Sequence, residues 1–165
     1  VHIDSIPLGR GARCPISAAS LKRIVKRTIT TVAAQQGLSR REVEQTQLAF
    51  VFANRDQALR LNTQYRAKPY SPNVLTFANR QAPVQADIIL CMPVIREQAK
   101  QQGKSWQDHL SHMIVHGVLH AFGWDHEKAA QALRMERLEG AILAGLGVSD
   151  PYDSGGKIAR LPRIR

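Results

Sequence analysis

The segment from His116 to His126 reads H-G-V-L-H-A-F-G-W-D-H, and it constrains this chain more than any other feature. Residues four apart share a helix face, so His116 and His120 point the same way, one turn apart. That spacing offers two imidazoles to one metal ion. Gly123 lets the chain break and turn back, and His126 then supplies a third nitrogen. Three protein ligands leave one coordination position open, as in catalytic rather than structural zinc sites. His112 lies one turn before His116 and reads as a residue that orients a ligand or simply packs. His109 is left unassigned, and His2 is expected at the surface. Zinc is the inferred ion, although three imidazoles also accept nickel or copper.

The spacing agrees with the zinc-protease pattern H-E-x-x-H-x-x-G-x-x-H at every named position but one. Where that pattern carries the Glu that activates water, this chain carries Gly117. The metal-binding geometry is present and the peptidase base is missing.

Charge bears on the substrate. Lys and Arg number 23 against 13 Asp and Glu, a formal net charge of +10. Such a surplus favours polyanionic partners, nucleic acid first among them. A length of 165 residues points to one domain able to bury a core without disulfides. Two distant cysteines, Cys14 and Cys91, make no disulfide framework, so a reducing cytoplasm is the expected compartment. Cys91 sits in an apolar run and reads as a small buried hydrophobe. No apolar run has membrane-spanning length, and no membrane partner is expected. Val1 to Arg10 shows no signal pattern; the missing initiator Met leaves room for a removed or omitted stretch.

Periodicity places the motifs on a mixed α+β framework of about four strands and about five helices. Val1–Ile6 is a candidate first strand. Ser17 caps a helix running to Gln36, with Gly37 as its stop. Leu21, Ile24, Val25, Ile29 and Val32 mark its apolar face, and Lys22, Arg23, Lys26 and Arg27 its flank, solvated or facing RNA. Strands are expected over Gln47–Ala53, Asn73–Phe77 and Ala86–Cys91, with a short helix from Asp56 to about Tyr65. Pro69 and Pro72 enforce an extended loop. Pro93 opens a helix to about Gln102. A long helix spans Ser105–Phe122, and a last one covers roughly Glu127–Ala144. Met113 and Met135 read as core packing. The domain is expected over 1–154, followed by a basic, flexible tail over 155–165 with Lys157, Arg160, Arg163 and Arg165.

The longer stretch H-M-I-V-H-G-V-L-H-A-F-G-W-D-H, from His112 to His126, resembles the YbeY family of bacterial rRNA maturation factors, which are metal-dependent endoribonucleases. Its signature H-G-x-L-H-x-x-G-x-D-H is met at every fixed position. L-N-T-Q-Y-R (Leu61–Arg66), N-V-L-T-F (Asn73–Phe77) and A-D-I-I-L-C (Ala86–Cys91) are similar to the family as well, with Ala86 where it usually has Gly. So are M-E-R-L-E (Met135–Glu139) and D-P-Y (Asp150–Tyr152). The resemblance runs from about Leu48 to Tyr152. It implies a small mixed sheet flanked by helices, zinc on His116, His120 and His126, and a functional role for Arg66. It implies ribosomal RNA and the ribosome as partners, 16S 3′-end maturation and ribosome quality control; single-stranded RNA is the expected substrate.

On that reading the ion polarises a phosphoryl oxygen or acidifies a water, and Arg66 pairs with phosphate. The general base stays open among Asp87, Asp125, Glu127 and Glu136, and the RNA 2′-hydroxyl can itself be the nucleophile. Two other readings stay open: a metallopeptidase-like zinc hydrolase, and a non-catalytic ribosome- or RNA-binding zinc protein. The oligomeric state is not legible in the sequence.

Overall fold

The computed structural model describes residues 1–7, 14–79, 81–126 and 128–152. Four strands form one sheet in the order β1-β2-β4-β3: β1 (His2–Pro7), β2 (Gln47–Ala53), β3 (Val74–Ala78) and β4 (Gln85–Cys91). β1 and β4 flank β2 in parallel, and β3 closes one edge antiparallel to β4. Six helices are found among the described residues: α1 (Ala18–Gln36), α2 (Arg40–Gln45), α3 (Arg55–Arg66), α4 (Met92–Gln101), α5 (Trp106–Ala121) and α6 (Ala129–Ala144). The mixed α/β framework expected from the sequence is therefore present. The expected tail over 155–165 lies outside the described residues.

Expectation and structure differ at α2. This helix has only six residues and no buried side chain, so it carries no apolar periodicity. Its signal is local: the Ser39 hydroxyl accepts from the Glu42 N–H, and the Glu42 carboxylate accepts from the Ser39 N–H. That reciprocal cap satisfies two donors that a helix start leaves free. α1 follows its expected bounds. Ser17 accepts from the Ser20 N–H, and Gly37 ends the helix at φ 66°, a conformation that suits a residue without a β-carbon.

The sheet separates two apolar layers. Leu48, Phe50 and Phe52 of β2 and Ala86, Ile88 and Leu90 of β4 point to one face, where they meet α1 and α5 in the main core. Each such Leu, Ile or Phe side chain contributes about 1.5–3 kcal/mol when fully buried. Met113 and Met135 belong to this core, as expected of gap-filling residues. The opposite face carries Ala53, Leu75, Ile89 and Cys91, with Ala58 of α3 and Val94 of α4 in the same cluster. Cys91 is 1% exposed, the small buried hydrophobe anticipated.

α5 crosses the sheet at close range because position 117 has no side chain. A β-carbon there would sit 2.7 Å from Cγ2 of Ile88 and 3.3 Å from Cγ2 of Val74. The Thr76 hydroxyl donates to the Gly117 carbonyl at 3.2 Å, which ties α5 to the edge strand β3.

Candidate metal centre

The C-terminal half of α5 carries His116 and His120, and the loop beyond it returns His126. Ser105 starts α5 by accepting from the Asp108 N–H. After Ala121 the chain leaves the helix, and Gly123 takes φ 82°. His126 then comes back toward the helix face. The ring centroids of His116 and His126 are 5.4 Å apart, those of His120 and His126 5.0 Å, and those of His116 and His120 4.5 Å. One ring nitrogen from each of the three lies within 4.8 Å of the others. Nε2 of His116 and Nε2 of His120 are 3.0 Å apart.

The donors suit a metal ion. His120 is pushed down to about 4 by burial, reinforced by the neighbouring His116 and His126, so its ring is neutral at pH 7 with a lone pair to offer. His116 is oriented through its other nitrogen: Nδ1 donates to Oε1 of Glu139 at 2.7 Å, which leaves Nε2 facing His120. A carboxylate behind a ligand imidazole fixes tautomer and ring angle and raises ligand basicity.

Glu139 is the residue that sequence reasoning missed. It sits on α6 and is completely buried. Burial alone would raise its pKa. Hydrogen bonds from His112 and His116, and their charges, hold it below the usual carboxylate range. Its remaining oxygen, Oε2, lies 3.2 Å from Nε2 of His112 and accepts from the Tyr152 hydroxyl. His112 is thus not one of the three converging imidazoles; it helps hold the carboxylate that holds His116. A sequence signal existed. Met135, Leu138 and Ile142 mark the core face of α6, and Glu139 falls on that face at helical spacing.

The other candidates separate. His109 is buried, with Nε2 3.0 Å from Oε1 of Gln98. Asp125 accepts from the backbone N–H of His126 at 2.7 Å, so it shapes the returning loop. Asp87 is exposed on β4. It alternates with Ile88, which faces α5, and so projects from the opposite side of the sheet. Glu136 is half-buried on α6, and Glu127 lies outside the described residues. His2 is exposed. Arg66 is exposed in the last turn of α3, on the sheet face away from α5. The edge strand links the two sides: Phe77 packs edge-on against Tyr65 at 5.2 Å between centroids, and the adjacent Thr76 touches the Gly117 carbonyl.

His116, His120 and His126 on a helix and its returning loop, backed by the buried Glu139 carboxylate under a four-stranded mixed sheet, form a set of donors able to hold one metal ion. The family model described as Endoribonuclease YbeY matches residues 10–147, and the chain belongs to that family. The protein named Endoribonuclease YbeY from Ralstonia nicotianae is 50% identical over 109 residues, covering 64% of this chain and 58% of its own length. Its namesake from Polynucleobacter asymbioticus is 42% identical over 145 residues, covering 84% of this chain and 88% of its own. The solution structure of TM1509 from Thermotoga maritima superposes with a TM-score of 0.54 at 19% identity, covering 94% of this chain and 99% of that one, which speaks to the fold. No helix among the described residues is long and apolar enough to cross a membrane.

Proposed function

We propose that this chain is a zinc-dependent endoribonuclease that cuts single-stranded RNA during ribosomal RNA maturation, including the 16S 3′ end, and in ribosome quality control. The observation that carries the reading is the convergence of His116, His120 and His126 with Glu139 behind His116. Membership of the YbeY family supplies the reaction class, and a net charge of +10 suits an RNA substrate.

His116, His120 and His126 would hold the ion, which when bound supplies Lewis acidity toward a phosphoryl oxygen. The chain's own residues do the rest. Glu139 keeps the Nδ1 proton on His116 and leaves Nε2 free to ligate. Being buried and shared among three partners, it orients a ligand and is poorly placed to take a proton from substrate. Arg66, exposed at the end of α3, presents a planar guanidinium suited to bidentate contact with a phosphate. Its exposure there supports a role in holding the RNA backbone. A peptidase route would need a Glu at position 117, where even a β-carbon collides with Ile88.

The test is cleavage of single-stranded and double-stranded RNA by zinc-loaded protein beside Arg66→Ala and His120→Ala. Single strands should be cut by the wild type alone. Equal cutting by all three proteins would overturn the reading.

A further inference from the structure

We propose that Tyr152, held in place by Lys104, is a positioning residue for the three-histidine centre, so that docking of the Asp150–Tyr152 turn and metal binding stabilise each other. The inference rests on the metal-binding reading of His116, His120 and His126.

The path to the metal centre passes through Glu139. Its carboxylate has two oxygens in one plane, and Oε1 is taken by His116 Nδ1 at 2.7 Å. Whatever fixes Oε2 therefore fixes the direction from which Oε1 meets His116. Two groups reach Oε2: Nε2 of His112 at 3.2 Å and the Tyr152 hydroxyl. The Tyr152 oxygen also lies 3.2 Å from Nε2 of His112, so the three groups form a closed triangle. His112 sits on α5, the helix of His116 itself. Tyr152 is the partner that comes from outside α5 and α6. Burial, and next the charge of Glu139, push its hydroxyl pKa well above the ordinary value, so it stays protonated and donates.

Three contacts place that hydroxyl. The Tyr152 N–H donates to Oδ1 of Asp150 at 2.9 Å, which closes the turn. Lys104, in the connection between α4 and α5, donates from Nζ to the Pro151 carbonyl at 2.7 Å. The Asp150 carboxylate lies so close to α6 that a β-carbon on Gly140 would be 3.3 Å from Oδ2. The Lys104 ammonium is drawn partly out of water, which lowers its pKa against the pull of Asp150. A continuous path thus runs from Lys104 through Pro151, Tyr152 and Glu139 to His116. Lys104 touches none of the three histidines, yet its loss should be felt at the metal. The coupling is reciprocal, because both events bear on one carboxylate.

The test measures zinc affinity of the full chain by competition with a chromophoric chelator. Tyr152→Phe keeps the ring and removes the hydroxyl; it should weaken zinc binding by about 10-fold, the lower end of the effect of such outer partners. Lys104→Met should weaken it in the same direction. The double variant should lose less than the product of the two single effects, since both act on one path. Lys100→Met removes an exposed charge from α4 and should change nothing. A second readout is the imidazole ¹⁵N–¹H spectrum of the zinc-loaded protein. The Nδ1–H signal of His116, sharp in the wild type, should shift or broaden in Tyr152→Phe while the backbone amide spectrum is retained. Wild-type zinc binding with unchanged affinity and Nδ1–H signal in both variants would overturn this inference alone. A wild type that binds no zinc would overturn the three-histidine reading and the inference with it.

Discussion

Gly117 and Ile88 are in contact across the α5–sheet interface with no room between them: a β-carbon on Gly117 would lie 2.7 Å from Cγ2 of Ile88. Ile88 is fully buried, so its methyl has nowhere to move. The missing peptidase glutamate is thereby a consequence of packing, because the residue next to His116 is the one on which the helix rests. Gly117→Glu should overpack the core and bury an unpaired charge, costing about 3 kcal/mol or more. Urea unfolding followed by circular dichroism should show a lowered midpoint, with no peptidase activity gained. A midpoint equal to wild type would show that α5 can lift off the sheet.

Glu139→Gln keeps the size of the side chain and removes its charge. His116 then loses a charged partner for Nδ1–H. Zinc affinity should fall by about 10- to 100-fold, the range seen when such outer partners are removed. Chelator competition measures this directly, and an unchanged affinity would mean that Glu139 serves the fold alone.

His109 predicts a pH dependence in the metal-free protein. Its folded pKa is pushed down to about 4 from 6.5 by burial, helped by the charges of His112 and Lys104. Between those values the unfolded state binds more protons than the folded one, so stability rises with pH across the window. The contribution is complete above pH 6.5 and is lost as the pH falls toward 4. His120 acts in the same direction over the same range. Urea midpoints taken from pH 7 to pH 4 should decline, and His109→Gln should decline less steeply. Parallel curves for the two proteins would contradict the assignment.

Arg66 stands exposed at the end of α3. Arg66→Ala should therefore change stability by less than about 1 kcal/mol, the scale of a basic residue at a helix C-terminus. RNA cleavage should fall by at least tenfold. Arg66→Lys should restore charge but only part of the rate, since an ammonium cannot make the bidentate phosphate contact. RNA affinity should drop steeply with salt, and the slope should shrink by about one unit in Arg66→Ala. A slope unchanged by the substitution would remove Arg66 from the phosphate contacts.

Much of the fold was legible because it is written in local patterns. The span of β2 follows its apolar run to the residue, and α1 follows its cap, its stripe and its glycine stop. The short α2 escaped periodicity because a helix with no buried face has none; its capping pair Ser39 and Glu42 was the available signal. At the site, His116 and His120 were legible from i,i+4 spacing and His126 from the glycine-broken return. Glu139 and Tyr152 were visible only as parts of family-like strings, with no role attached.

The sequence by itself determined the three imidazoles, the mixed α/β class and the basic character, since each depends on spacing or composition within a few turns of chain. Only the tertiary structure decided what stands behind the histidines. Glu139 lies 23 residues from His116 along the chain, and Lys104 lies 47 from Pro151. Such pairings are set by how α6 and the turn after it pack on α5, and no local periodicity encodes that. The structure likewise decided that Asp87 projects from the sheet face away from the histidines. In a strand, neighbouring side chains point to opposite faces, and which face meets a helix is settled by packing.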